Sequence, residues 1–368
     1  TGSVFNKNYI GIKISNSVPA LNAIRFGIYG CMFASRSMSF STFPNPMGWP
    51  SADMVGAGLK AVNFPTTGLE PPYMHIGFPQ YFPQTNLKLP YNNQPGHIGI
   101  KIENIGNTAG MIPTSGVDIN QSVPGPIQND FNLFDGLGVG IDVTDASLTT
   151  RFNVFQNMQH YFTGNAGSGW FGGEGIRDSI TGLMNAKLIL NQNFSGTPST
   201  SEGNRFWNCM TGVRVYNVFD VLVNYNIFRS NHSAGSALFP QYMAGDYGIK
   251  IETNRFHFWT THNEFNNLKV GLHFSTPAVT QNYEFPGTGV TAGIYAMDFG
   301  VEHSYFGARE TSTIPYSGGM ANTPISEYMS DGIKIETPNT IGWFNPPLLT
   351  QSASWVVFSK FDRVFRGV

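Results

Sequence analysis

Three carboxylates occupy comparable places along this chain. Glu174, Asp246 and Asp331 each lie within two residues before a glycine that closes a long irregular stretch, namely Gly175, Gly248 and Gly332. Carboxylates held at a fixed separation are the equipment of glycoside hydrolysis, one as acid and the other as base or nucleophile. His160 and Arg177 could complete such a site. The competing reading is that the three acids are solvated, or pair with Arg177, Lys250 and Lys334 on the strands that follow.

A second set of residues could bind without reacting. Trp49, Tyr73, Tyr81, Trp170, Tyr242, Tyr247 and Tyr316 fall in or beside the same irregular stretches. Rows of aromatic rings can stack on sugar rings or anchor a protein partner, and they can equally form the private core of a long loop. Other chemistry finds little footing. Gly-Ile-Lys-Ile is not a phosphate loop, which requires a second glycine before the lysine and a following helix. His257, His262 and His273 fall at different places in the local pattern, so no metal site is expected, and nothing calls for a cofactor. The two cysteines, Cys31 and Cys209, are far apart and read as buried apolar thiols.

The elements that must carry these residues announce themselves as a repeat. Asn204-Arg-Phe206 followed by Gly212-Val-Arg-Val215 returns as Asn263-Glu-Phe265 with Gly271-Leu-His-Phe274. Further copies start at Asn132-Leu-Phe134, Ser3-Val-Phe5 and Ser359-Lys-Phe361. Phe206 to Phe228 gives a unit of 22 residues (228 − 206), and each apolar pair within it alternates with period two. Period two means strands, so one coil holds three short strands with apolar side chains inward. No coil can bury its inner face alone, and coils must therefore stack, ~4.8 Å apart.

The residue types then have duties. Phe and Val fill the interior. Gly before each Ile-x-Ile pair suits either positive φ or a close backbone approach. Asn or Ser two residues before each Phe suits a bend where side-chain amides stack coil on coil. In Gly99-Ile-Lys-Ile-Glu103, Ile100 and Ile102 point in while Lys101 and Glu103 point out.

The distance from each core Phe to the next Gly is of two kinds. It is six positions from Phe5 to Gly11, Phe134 to Gly140, Phe206 to Gly212, Phe265 to Gly271 and Phe361 to Gly367. It is long from Phe33 to Gly99, Phe155 to Gly175, Phe228 to Gly248 and Phe306 to Gly332. The expectation is a single domain over 1–368 with loop insertions at 34–98, 156–174, 229–247 and 307–331, all leaving one corner on alternate coils. Neighbouring carboxylates of the first set would then stand two coils, ~9.5 Å, apart. The chain opens and closes inside copies of the motif, so it is expected to be a segment of a longer solenoid, or to have its ends covered by something else.

This motif resembles that of the pectin-lyase-like superfamily of right-handed parallel β-helices, over nearly the whole chain. The Asn- and Phe-rich texture resembles β-helix regions of large secreted or cell-surface proteins of Bacteroidota, which are often adhesive. The resemblance implies an all-β, right-handed parallel β-helix solenoid and an extracellular or cell-surface location. Many superfamily members cleave polysaccharides, but their signatures are missing. Of the polygalacturonase-like set (Asn-Thr-Asp, Asp-Asp, Gly-His-Gly, Arg-Ile-Lys) only Gly96-His97 followed by Ile98 occurs, and there is no Asp-x-Asp for a lyase calcium site.

Composition agrees with a quiet surface. Charged residues are 12% of 368 and the net charge is -2, which gives no basic patch for nucleic acid or an anionic membrane. No apolar run reaches a membrane span. The expected function is a non-catalytic structural or adhesive surface module that presents an aromatic loop face to a polysaccharide or a surface protein. Further segments of the same solenoid or a larger assembly are also possible partners. A polysaccharide lyase or glycoside hydrolase using Glu174, Asp246 and Asp331, and a phage tail-spike-like module, are the alternatives.

Overall fold

In the computed structural model the chain is all-β, and no helix occurs among the described residues. Those residues are 4–6, 10–15, 25–28, 32–34, 57–64, 73–76, 86–88, 98–105, 117–119, 132–156, 158, 160–162, 170–181, 186–191, 203–218, 220–230, 247–252, 256–275, 283–284, 291–292, 297–302, 304–307, 329–336, 355–357, 359–362 and 364–366. Side chains are described for part of them, chiefly between 98 and 275.

Three long sheets, of ten, ten and nine strands, contain nearly all the strands. The phenylalanine sheet holds Val4–Asn6, Met32–Ala34, Asn86–Lys88, Asn132–Asp135, Asn153–Gln156, Arg205–Trp207, Ile227–Arg229, Glu264–Asn266, Tyr305–Gly307 and Lys360–Asp362. The glycine sheet holds Ile10–Ser15, Ala57–Phe64, Ile98–Ile105, Val139–Thr144, Glu174–Ser179, Thr211–Tyr216, Tyr247–Glu252, Val270–Ser275, Met329–Glu336 and Val364–Arg366. The third sheet holds Arg25–Ile28, Tyr73–Ile76, Val117–Ile119, Leu148–Thr150, Lys187–Leu190, Asp220–Asn224, Phe256–Thr261, Met297–Glu302 and Trp355–Val357. The chain visits the sheets in that order again and again, and neighbouring strands within each are parallel. We call one such circuit a rung.

Two kinds of contact explain why these residues take this form. Phe134, Phe155, Phe206, Phe228, Phe265, Phe306 and Phe361 stack ring on ring, with centroids 4.6 to 4.9 Å apart. That spacing is the strand spacing itself, so parallel in-register pairing and offset ring stacking satisfy each other. The rings from Phe134 to Phe306 then each lie on a glycine of the rung before. A Cβ added at Gly212 would meet the Phe228 ring and the Gly248 carbonyl oxygen, both at 2.6 Å. Close approach is therefore what the motif glycine provides. Positive φ among glycines falls instead on Gly136, Gly172 and Gly173.

Beside the rings runs a ladder of amides. Asn132, Asn153, Asn204 and Asn226 each donate through Nδ2 to the next Oδ1 at 3.0, 2.8, 3.0 and 3.2 Å, ending on Asn263. Ser304 continues it, accepting from the Asn263 backbone N–H at 3.4 Å. These side chains are buried, and the ladder supplies partners for polar groups that burial would otherwise leave unpaired. The inward residues of all three sheets form one apolar cluster, including Ile141, Val213, Ile249, Leu188, Val221 and Phe258.

The largest expected insertion needs correction. Residues 34–98 are not one loop, because Ala57–Phe64, Tyr73–Ile76 and Asn86–Lys88 lie within them, one strand for each sheet. Leu87 takes the place of the core Phe, in register with Phe33 and Phe134, and Gly58 lies between positions paired to the strand of Gly99. This rung carries Thr85 and Leu87 where the motif has Asn and Phe, so the motif does not mark it. The other stretches begin and end slightly inside their expected bounds, since Gln156, Glu174, Arg229, Tyr247 and Gly307 belong to strands and Met329 already starts one. The long links that follow Phe33, Phe155, Phe228 and Phe306 all run from the phenylalanine sheet to the glycine sheet. One of them contains an antiparallel hairpin, His160–Phe162 against Trp170–Gly172.

Candidate functional site

The outward face of the glycine sheet borders the corner where those links end, and the register of its strands decides what can meet there. Glu174, Thr211, Tyr247, Val270 and Asp331 share one row. Glu174 and Asp331 are thus four rungs apart, ~19 Å at the parallel-strand spacing. A hydrolytic pair works at no more than ~9.5 Å. Asp246 lies outside the described residues, and the row position between the two acids belongs to its neighbour Tyr247.

Glu174 is occupied by cations. It is 5% exposed, and its carboxylate accepts from Arg177 Nε at 2.5 Å and Arg214 Nη1 at 3.2 Å. Arg214 also donates through Nε to Glu252 at 2.6 Å, and Lys250 reaches Glu252 at 2.7 Å. One outward row supplies these cations in register, Lys13, Lys60, Lys101, Arg177, Arg214, Lys250 and Lys334, interrupted by Asp142 between Lys101 and Arg177 and by His273 between Lys250 and Lys334. Like charges stacked at strand spacing repel, and the flanking carboxylates offset this, as Glu103 does for Lys101 at 2.6 Å. Burial pushes the Glu252 carboxyl up, but hydrogen bonds from Lys250 and Arg214 outweigh it and the net direction is down. Asp142 goes the other way: burial raises it, and Arg177 and Lys101 only partly oppose.

Of the aromatic candidates, Tyr247 has a described side chain. It is half-buried, stacked on His273 at 5.0 Å and covered by the Lys250 ammonium 5.6 Å from its ring centre, so it is built into the strand face. Tyr73 and Trp170 lie on strands whose side chains are not described there. Trp49, Tyr81, Tyr242 and Tyr316 lie outside the described residues.

His160 pairs with Gly172 in the hairpin, while Arg177 is engaged by Glu174. His262 stacks on Tyr225 at a corner and His273 stacks on Tyr247 on the sheet, so the two imidazoles belong to different structures. His257 lies on a strand of the third sheet. Among the described residues no group of three or more His, Cys, Asp or Glu is placed to hold a metal ion. Cys209 is buried, with its sulfur 3.7 Å from the Phe155 carbonyl oxygen, and burial pushes its thiol up; Cys31 lies outside the described residues.

One titratable residue escaped the sequence reading. Asp178 pairs with Val143 on one side and Val215 on the other, which puts it in the inward row of the glycine sheet. The signal was present, since Gly175-Ile-Arg-Asp178 has Asp where Gly-Ile-Lys-Ile has its second inward Ile. No protein-family model, curated protein or solved structure matches the chain.

Proposed function

We propose that the chain is a right-handed parallel β-helix of the pectin-lyase-like kind, acting as a non-catalytic structural or adhesive module at a cell surface or outside the cell. Its contact face is the corner between the phenylalanine and glycine sheets, and its partner is a polysaccharide or a surface protein. The observation that carries this reading is topological: the links following Phe33, Phe155, Phe228 and Phe306 open at the same corner of a stack whose interior rows repeat. Insertions that recur at one corner of a regular scaffold are where repeat proteins place binding, and here the links from Ser275 to Met297 and from Glu336 to Trp355 add to them at the next corner, between the glycine and third sheets. The engagement of Glu174 by two guanidinium groups, and its distance from Asp331, support the non-catalytic form over the hydrolytic one.

The test is incubation of the purified chain with a panel of acidic and neutral polysaccharides, scoring retention, unsaturated ends and new reducing ends together. Retention without product is expected, and it should weaken when the hairpin residue Trp170 becomes Ala. New ends that disappear in Glu174→Gln or Asp331→Asn would replace the adhesive reading with an enzymatic one.

A further inference from the structure

We propose that Asp178 is a carboxylic acid kept neutral inside the stack, and that its ionisation makes its rung the pH-responsive point of the structure. The geometry is unusual for an acid. Asp178 is 0% exposed, lies between Val143 and Val215 in an otherwise apolar inward row, and neither carboxylate oxygen has a hydrogen-bond partner. The row continues as Ile251 and Phe274 in the rungs beyond. A carboxylate placed there without a partner carries a large desolvation penalty, whereas the protonated acid does not.

The charged neighbours do nothing to favour the anion. From the strand before comes Asp142, and from the bend just after it Asp145, and both oppose a further negative charge. Asp145 is itself committed, accepting from Thr181 N at 2.7 Å and Thr181 Oγ1 at 2.5 Å. Glu174 and Arg177 on its own strand, and Arg214 on the strand after, are paired with one another. Lys187, at the start of the third-sheet strand of this rung, pairs with Asp220 at 2.9 Å. The inward residues of that strand, Leu188 and Leu190, are apolar. Burial first, and the two aspartates second, push the Asp178 carboxyl well above the ordinary range.

The sign follows from linkage. An unfolded aspartate ionises near pH 4, while the folded one holds its proton to higher pH. Between those limits the unfolded state binds fewer protons at this group, so the contribution of Asp178 to stability falls as pH rises and is greatest in acid. Because a stacked array opens locally, the loss is concentrated in the strands Val139–Thr144, Glu174–Ser179 and Thr211–Tyr216. Glu174–Ser179 directly follows the hairpin of residues 160–172, so its loosening would reach one of the corner insertions.

Hydrogen exchange of peptides covering those three strands, compared between pH 5 and pH 8 after correction for intrinsic exchange, is the measurement. It is made together with thermal unfolding on wild type, Asp178→Asn and Asp178→Val. Wild type should lose protection there and drop in Tm by a few degrees as pH rises. Both variants should lose most of that dependence, the remainder belonging to the neighbouring buried Asp142, with Asp178→Val the more stable at pH 8. Protection in wild type that does not change with pH, or an equal drop in Asp178→Asn, overturns the proposal. Asp178→Asn preserves the side-chain shape, so it carries the test even if the valine variant folds poorly.

Discussion

The inward and outward rows of the glycine sheet use the same strands under opposite rules. Inward, Val143, Val215, Ile251 and Phe274 succeed one another, and the one acid among them, Asp178, is pushed toward its neutral form. Outward, Glu252 stands beside Arg214 and Lys250 and is pushed toward its charged form, whereas Asp142, in the outward row but buried, is raised because burial outweighs its cations. The interior requires likeness from rung to rung, because each side chain packs on its own counterpart ~4.8 Å away. The exterior requires complementarity, because identical charges at that distance repel. A mismatch inside should therefore cost much more than a mismatch outside.

The largest expected effect is at the ring stack. Phe206→Ala removes a fully buried ring lying between Phe155 and Phe228 and should destabilise by about 3–5 kcal/mol in chemical denaturation. A loss below ~1 kcal/mol would show that the rows do not depend on likeness. The amide ladder comes next. Asn204→Ala removes the acceptor of the Asn153 backbone N–H at 3.2 Å and should cost about 1–3 kcal/mol for that buried group, while the Asn153 side-chain amide keeps Thr150 Oγ1 and the Arg151 carbonyl as acceptors. Asn204→Ser should lose less, since Ser304 already fills a ladder position.

Outward changes rank below these. In a double-mutant cycle, Glu174→Gln with Arg214→Gln should give a coupling of about 1 kcal/mol or less, because the Arg214 side chain is 42% exposed. That coupling should shrink further as salt is added. The smallest effect concerns pH. The folded Glu252 carboxyl lies below its unfolded value, so its contribution is complete at neutral pH and fades as pH falls through the folded value. A titration followed by NMR should show this acid-side loss, opposite in sign to that of Asp178. Equal signs for the two acids would break the distinction between the rows.

Much of this contrast was legible beforehand. Phe, Gly and Asn recur at fixed offsets because each contacts its own counterpart one rung away, so one local requirement is written many times. Phe228 on Gly212 and Asn204 on Asn226 are instances of the same two contacts. The rung with Leu87 is not marked by the motif because Leu stands in register with the core Phe positions without being the signature residue. Asp178 could have been found by asking what each inward position holds instead of which motif it matches.

The candidate site was less legible. A carboxylate before a motif glycine suggested three acids of one kind, but position in the repeat does not reveal what lies diagonally across rungs. Glu174 meets Arg214, 40 residues away, and Arg214 meets Glu252, 38 residues further. From its sequence alone, this protein's strand period, the inward side of each strand and the ring and amide ladders could be inferred, because apolar alternation and self-contact are local and repeated. Only the tertiary structure decided which charges compensate each other and how far apart the acids stand, because those depend on register between rungs and on how many rungs intervene.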